Sequence, residues 1–200
     1  TLFFGELTYV KAEALGKAKR PIIIAGNGVR FSDTTMMLRE FGESLSIPIT
    51  TVWNAHDLIP NSHPSFCGRT GADGDRAGNF SVQNADLIII LGARMAIRQV
   101  GFNHQAFGRA AKKIMVDVDQ FEMEKPTLQI DQKFLCDLRL VMPMLLSKSQ
   151  GEVAAKSHQE YSEWCRQALT NSSKVKKRTA LIQEDLDKVI AEWQSSGVIK

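Results

Sequence analysis

The 200-residue sequence lacks a membrane span, a disulfide framework and a structural zinc motif. Its longest apolar run, Leu87 to Leu91, falls far short of the roughly 20 residues that a bilayer-spanning helix needs. Cysteine is scarce: Cys67, Cys136 and Cys165 are odd in number and widely spaced, with no CxxC pair. That pattern fits a reducing, cytoplasmic setting better than an oxidising one. Net charge is small, with 25 Lys and Arg against 22 Asp and Glu. The main basic run, Lys174, Lys176, Lys177 and Arg178, has no interleaved aromatics. It reads as a solvated connector rather than a nucleic-acid surface, because phosphate attraction comes without a stacking platform. The opening residues Thr1-Leu2-Phe3-Phe4-Gly5 lack an initiator Met, a basic n-region and a long apolar stretch, as expected of a piece of a longer chain. No HExxH or GxSxG occurs, and His56, His63, His104 and His158 accompany no recognisable nucleophile turn, so no catalytic residue is assigned.

A hydrophobic fraction of 44% and a charged fraction of 24% are ordinary for a globular protein, and the length suits one core with a helical appendage. Leu7, Val10, Ala14, Leu15 and Ala18 recur at helical spacing until Arg20-Pro21 forces the backbone out of the helical region. Ile22-Ile23-Ile24 follows as a strand. Ser32 or Asp33 is placed to cap a helix carrying Met36, Met37, Leu38, Phe41 and Leu45. Pro48 to Val52 predicts a second strand, and Trp53 to Arg76, rich in Asn, His, Pro, Gly and Asp, predicts a long loop. A short helix over Ala77 to Asn84 leads into a strand at Leu87–Leu91, and Ile114-Met115-Val116 forms another. A helix with Leu138, Leu140, Val141, Met144 and Leu145 closes the unit, and two amphipathic stretches follow, Glu152 to Leu169 and Thr179 to Trp193. Strands that are apolar throughout, alternating with helices, predict an α/β doubly wound parallel sheet.

Ligands of such sheets sit beyond the carboxyl ends of the strands, near the point where strand order reverses. Four strand ends are candidates: Gly26-Asn27-Gly28, Thr51 with the long loop behind it, Gly92-Ala93-Arg94 and Asp117-Val118-Asp119. Gly26-Asn27-Gly28 lets a diphosphate approach the backbone, or simply makes a tight turn; Phe31 breaks the full dinucleotide fingerprint. Gly71-Ala72-Asp73-Gly74, in a glycine-rich loop, could fold around phosphates or ribose, or be bare loop. Asp73, Asp75 and Asn79 match neither an EF-hand nor a Gly-Asp-Gly diphosphate motif, so no metal site is assigned. Gly92-Ala93-Arg94, with Arg98 four residues on, offers guanidinium groups for a phosphate or for ordinary surface pairs. Asp117-Val118-Asp119 could accept from ribose hydroxyls or, with Glu122, cap the next turn.

In order and spacing these four motifs resemble the central domain of thiamine-diphosphate enzymes of the acetolactate synthase type, from about Lys19 to Leu146. The resemblance implies a Rossmann-like fold of about six parallel strands, of the DHS-like NAD/FAD-binding type. It divides the chain into an N-terminal linker helix over 1–18, a nucleotide-binding-type domain over 19–147 and a helical linker over 148–200. It implies FAD or ADP along the four motifs, with Asp137 added where the family has a Gly-Asp pair and this chain has Cys136-Asp137. Thiamine diphosphate and magnesium would belong to flanking domains of the parent enzyme, a homodimer or homotetramer acting on 2-oxo acids. The fragment itself would be non-catalytic. The chain departs from the family at Asn27, where glycine is usual, and across Met95-Ala96-Ile97, where Phe-Asp-Asp is usual. A self-contained NAD-dependent or sirtuin-like enzyme, and a ligand-free interaction domain, are the alternative readings.

Overall fold

The computed structural model describes residues 14–149 and 155–172, together with 188 and 191. Six strands form one sheet: β1 (Pro21–Ala25), β2 (Ile49–Thr51), β3 (Phe66–Arg69), β4 (Leu87–Leu91), β5 (Lys112–Asp117) and β6 (Gln132–Leu135). Their order is β3-β2-β1-β4-β5-β6 and every pairing is parallel. The chain builds outward from β1 to β3, then returns to β4 beside β1 and builds the other way. Strand order therefore reverses between β1 and β4, which opens a crevice at their carboxyl ends.

The central pair explains why the sheet forms. Pro21–Ala25 and Leu87–Leu91 run in register from Pro21 against Leu87 to Ala25 against Leu91, and every one of these residues is buried. Such strands have no solvent face, so they need helices on both sides. Full burial of each isoleucine is worth about 1.5–3 kcal/mol.

Helices α1 (Asn27–Phe31), α2 (Thr35–Ser44), α3 (Arg76–Asn84), α4 (Ile97–Val100), α5 (Gln120–Met123) and α6 (Leu138–Ser149) complete the unit. α2 directs Leu38 and Phe41 inward and packs against α6, whose Leu138, Val141, Met142 and Leu145 are buried. A further helix, α7, runs over 156–172.

Several sequence expectations need correction. Neither Ser32 nor Asp33 caps the second helix: the N-cap is Thr34, without a side-chain cap. α1 takes the preceding residues, and the Ser32 hydroxyl turns back to donate to the Val29 carbonyl at 3.1 Å. The expected loop from Trp53 to Arg76 contains β3, the edge strand beside β2. It is four residues long and includes Gly68 at φ +102, so it shows no alternating pattern. β6 gives no sequence signal either: its burial alternates, but the inward positions are Gln132 and Phe134 and the apolar Leu135 is exposed.

Residues 14–17 end the expected first helix; its earlier part lies outside the described residues. So does the stretch Thr179 to Trp193, apart from residues 188 and 191. The expected linker is docked where it is described, since Tyr161 and Cys165 of α7 belong to the main hydrophobic core. Among the described residues no helix is long and apolar enough to cross a membrane.

Candidate nucleotide crevice

The floor of the crevice is made by glycine backbones in direct contact. The Gly26 N–H donates to the Leu91 carbonyl at 3.0 Å, and the Gly28 N–H donates to the Gly92 carbonyl at 3.0 Å. A Cβ on Gly28 would lie 2.6 Å from the Gly92 Cα, and one on Gly26 would lie 2.6 Å from the Ala93 Cα. Gly92 also sits at φ +56, which favours glycine. The glycines of the first and third motifs thus hold two turns together. Asn27 between them accepts a hydrogen bond from Arg30, which also pairs with Asp57.

The second motif is tied down in the same way. Asn79 on α3 accepts from the Gly71 N–H at 2.9 Å and the Thr70 hydroxyl at 3.1 Å, and its amide donates to the Gly71 carbonyl at 3.0 Å. Asp75 accepts from the Arg69 N–H at 3.1 Å. Gly71 has φ +112, and a Cβ there would lie 2.9 Å from the Arg98 carbonyl. That carbonyl accepts from the Ala72 N–H at 2.8 Å, so the second and third motifs are in direct backbone contact. A Cβ on Gly74 would lie 2.8 Å from the Thr70 carbonyl carbon, so its role is also close packing.

Arg98 completes the junction from the solvent side. Its guanidinium lies 5.3 Å from the centroid of the Trp53 ring and 3.7 Å from the Asp73 carboxylate. Arg94 reaches the other way, donating to Glu122 at 2.8 and 2.9 Å. Glu122 is mostly buried and also pairs with Lys125, so this carboxylate is shared between two cations.

The acidic motif serves its own turn. Asp119 is the N-cap of α5, accepting from the Phe121 N–H at 2.9 Å. Asp117 accepts from the Asp119 N–H at 3.0 Å. Burial pushes the Asp117 carboxyl above the usual carboxylate range, although backbone N–H groups of Asp119 and Val118 oppose the rise. Val118 is exposed. Asp137 stands farther off, at the end of β6, where it accepts from the Arg139 N–H at 2.9 Å. The structure therefore joins the first three motifs around the β1–β4 reversal and sets Asp117 and Asp119 one strand away. Asp137 lies outside that cluster.

Two residues that the sequence did not single out bear directly on whether a ligand fits. Gln99 is buried and adjoins Gly71, and neither atom of its amide has a hydrogen-bond partner. Trp53 supplies an aromatic face at the crevice rim. The Thr51 hydroxyl, at the end of β2, is also buried without a partner. Unpaired buried polar atoms are costly, and each needs a reason. No periodicity or motif marks Gln99, which only the fold brings to Gly71.

The residues fit a polar, anionic, ring-bearing ligand in part. Arg98 and Trp53 offer charge and a stacking face, and Gln99 and Thr51 offer unspent hydrogen-bonding capacity. The glycines do not form an open phosphate cradle, because protein backbone fills the space beside them.

Comparison with known proteins bears on the whole arrangement. Residues 11–145 match the model of the thiamine pyrophosphate enzyme central domain. The chain belongs to that family. It is similar to acetolactate synthase isozyme 1 large subunit of Escherichia coli, with 34% identity over 148 residues, covering 74% of this chain and 26% of the relative. The probable acetolactate synthase large subunit of Methanococcus aeolicus is 31% identical over 134 residues, or 67% of this chain and 22% of the relative. That of Lactococcus lactis is 29% identical over 160 residues, or 80% and 26%. The chain thus spans about a quarter of the length of these relatives. The six parallel strands agree with the fold the resemblance implied, and the match does not favour a self-contained NAD-dependent enzyme.

Proposed function

We propose that this chain is the central, cofactor-holding and scaffolding domain of an acetolactate synthase-like enzyme that decarboxylates or ligates 2-oxo acids. Membership of the thiamine pyrophosphate central-domain family carries this reading. Thiamine diphosphate and its magnesium belong, on this view, to flanking domains of a parent homodimer or homotetramer, and the fragment is non-catalytic by itself. The absence from the sequence of a recognised nucleophile or metalloenzyme motif supports that division of labour.

In this domain the crevice at the β1–β4 reversal takes FAD or ADP across its rim. Arg98 would hold the diphosphate, Trp53 would offer a face to a ring, and Gln99 would meet polar groups. The observations behind this are the guanidinium over the indole and the unpartnered buried amide beside Gly71. Gly26, Gly28, Gly71 and Gly92 shape the floor without contacting phosphate directly.

Thermal melting of the purified chain with FAD, ADP, NAD and thiamine diphosphate tests the reading. A ligand at a hundredfold excess over its Kd adds about 2.7 kcal/mol to stability. FAD or ADP is expected to raise the midpoint and thiamine diphosphate to leave it unchanged. A rise with NAD alone would overturn the proposal; no rise with any ligand would leave a scaffold and remove the nucleotide.

A further inference from the structure

Two of the three cysteines meet in the core, far from the crevice. Cys67 lies on β3, the edge strand, and Cys165 lies on α7, almost 100 residues later in the sequence. Both are fully buried and both are free thiols. The Cys67 thiol donates to the Ile49 carbonyl at 3.3 Å, and Cys165 lies in the same core cluster, near enough for the two thiols to influence one another. One helical turn before Cys165, the buried Tyr161 hydroxyl donates to the Ser81 carbonyl on α3. At the start of α7, His158 Nε2 lies 3.0 Å from the Ala18 carbonyl. α7 is therefore seated by three side chains on one face, with a sulfur from each element at the centre of the contact.

We propose that Cys67 and Cys165 form a reversible disulfide that latches α7 to the edge strand of the sheet. The oxidant is a peroxide. One thiolate attacks a peroxide oxygen, becoming a sulfenic acid as the O–O bond breaks and water leaves. The second thiol then attacks that sulfur, the S–S bond forms and a second water departs. Two thiols are thereby oxidised and one peroxide is reduced to two waters.

Burial pushes the Cys67 thiol up in the docked state. Full burial means that oxidant reaches the pair only when α7 lifts, so the latch records undocking of the segment that follows the sheet domain. Cys136, on the other side of the sheet order beyond β6, is too distant in the fold to join and serves as an internal control.

The test treats the 200-residue chain with hydrogen peroxide, followed by peptide mapping without reductant. Expected are a mass lower by two hydrogens, a Cys67–Cys165 linked peptide and a melting midpoint raised by about 5 °C or more, all reversed by dithiothreitol. Cys136→Ser is expected to behave identically, and Cys165→Ser to lose the linked peptide. If the folded chain does not react, the same mapping is done after refolding from urea in a glutathione redox buffer. Bonds through Cys136, bonds only between chains, or no Cys67–Cys165 peptide after refolding would overturn the proposal.

Discussion

The Gly28 N–H donates to the Gly92 carbonyl at 3.0 Å, and a Cβ on Gly28 would come within 2.6 Å of the Gly92 Cα. That contact locks the turn after β1 to the turn after β4, at the point where strand order reverses. Gly28→Ala would force the two backbones apart rather than displace a flexible side chain. The expected loss is about 3 kcal/mol, seen as a lower urea midpoint. Gly101, by contrast, has a positive φ of +77 and nothing within 4 Å of its virtual Cβ. Gly101→Ala is expected to cost only about 1 kcal/mol. Equal losses at the two positions would mean that the close contact at Gly28 adds nothing, since Gly28 itself is helical and has no positive φ.

Asn79 organises the glycine-rich loop by using both ends of its amide on Gly71. Asn79→Ala leaves a donor and an acceptor of the main chain unmet and is expected to cost about 2–3 kcal/mol. Asn79→Asp keeps the acceptor for the Gly71 N–H but sets a carboxylate oxygen against the Gly71 carbonyl. It is therefore expected to destabilise as much as alanine does. Urea titration of both variants checks this, and an Asp variant of wild-type stability would remove the donated bond from the account.

The parts of the fold that could be read in the sequence are those with strong local signals. Ile22-Ile23-Ile24 and Leu87–Leu91 are continuous apolar runs, and they prove to be the central, wholly buried strands. β3 and β6 are four-residue edge strands: β3 is buried but its Phe66-Cys67-Gly68-Arg69 spells no hydrophobic run, and β6 buries only Phe134. The site divides similarly. Glycines at strand ends were visible, but their use was not: whether Gly28 faces a phosphate or Gly92 depends on how two distant turns meet. Gln99 gives no local signal at all. Asp119 follows its local alternative, capping the next turn.

Asp117 makes stability depend on pH. Burial raises its carboxyl in the folded state above the unfolded value. The folded state therefore holds the proton more tightly, and this group contributes stability that is full below the unfolded pKa and is lost as pH rises through the folded pKa. Asp117→Asn keeps an acceptor for the Asp119 N–H and removes the buried charge. The variant is expected to be more stable than the wild type at neutral pH, with the difference shrinking as pH falls into the acid range. Urea midpoints measured across that range test it; a difference that grows on acidification would refute the assignment.

Arg98 is held by one carboxylate and one aromatic face, and the two have opposite meanings for a bound diphosphate. The Asp73 pair is 3.7 Å long and both side chains are mostly exposed, so it contributes less than about 1 kcal/mol to folding. Arg98→Ala is expected to leave the unliganded melting midpoint nearly unchanged and to abolish most of the shift produced by FAD or ADP. Arg98→Lys keeps the charge but loses the planar group that stacks on Trp53, so an intermediate shift is expected. Asp73→Asn separates two roles for the loop. If Asp73 only neutralises Arg98, the variant frees the guanidinium and tightens nucleotide binding several-fold, with an effect that fades in high salt. If its carboxylate instead accepts from ribose hydroxyls, binding weakens. The position of Arg98 between Trp53 and Asp73 favours the first outcome, since a carboxylate already facing a guanidinium presents added negative charge to a diphosphate approaching the same cation.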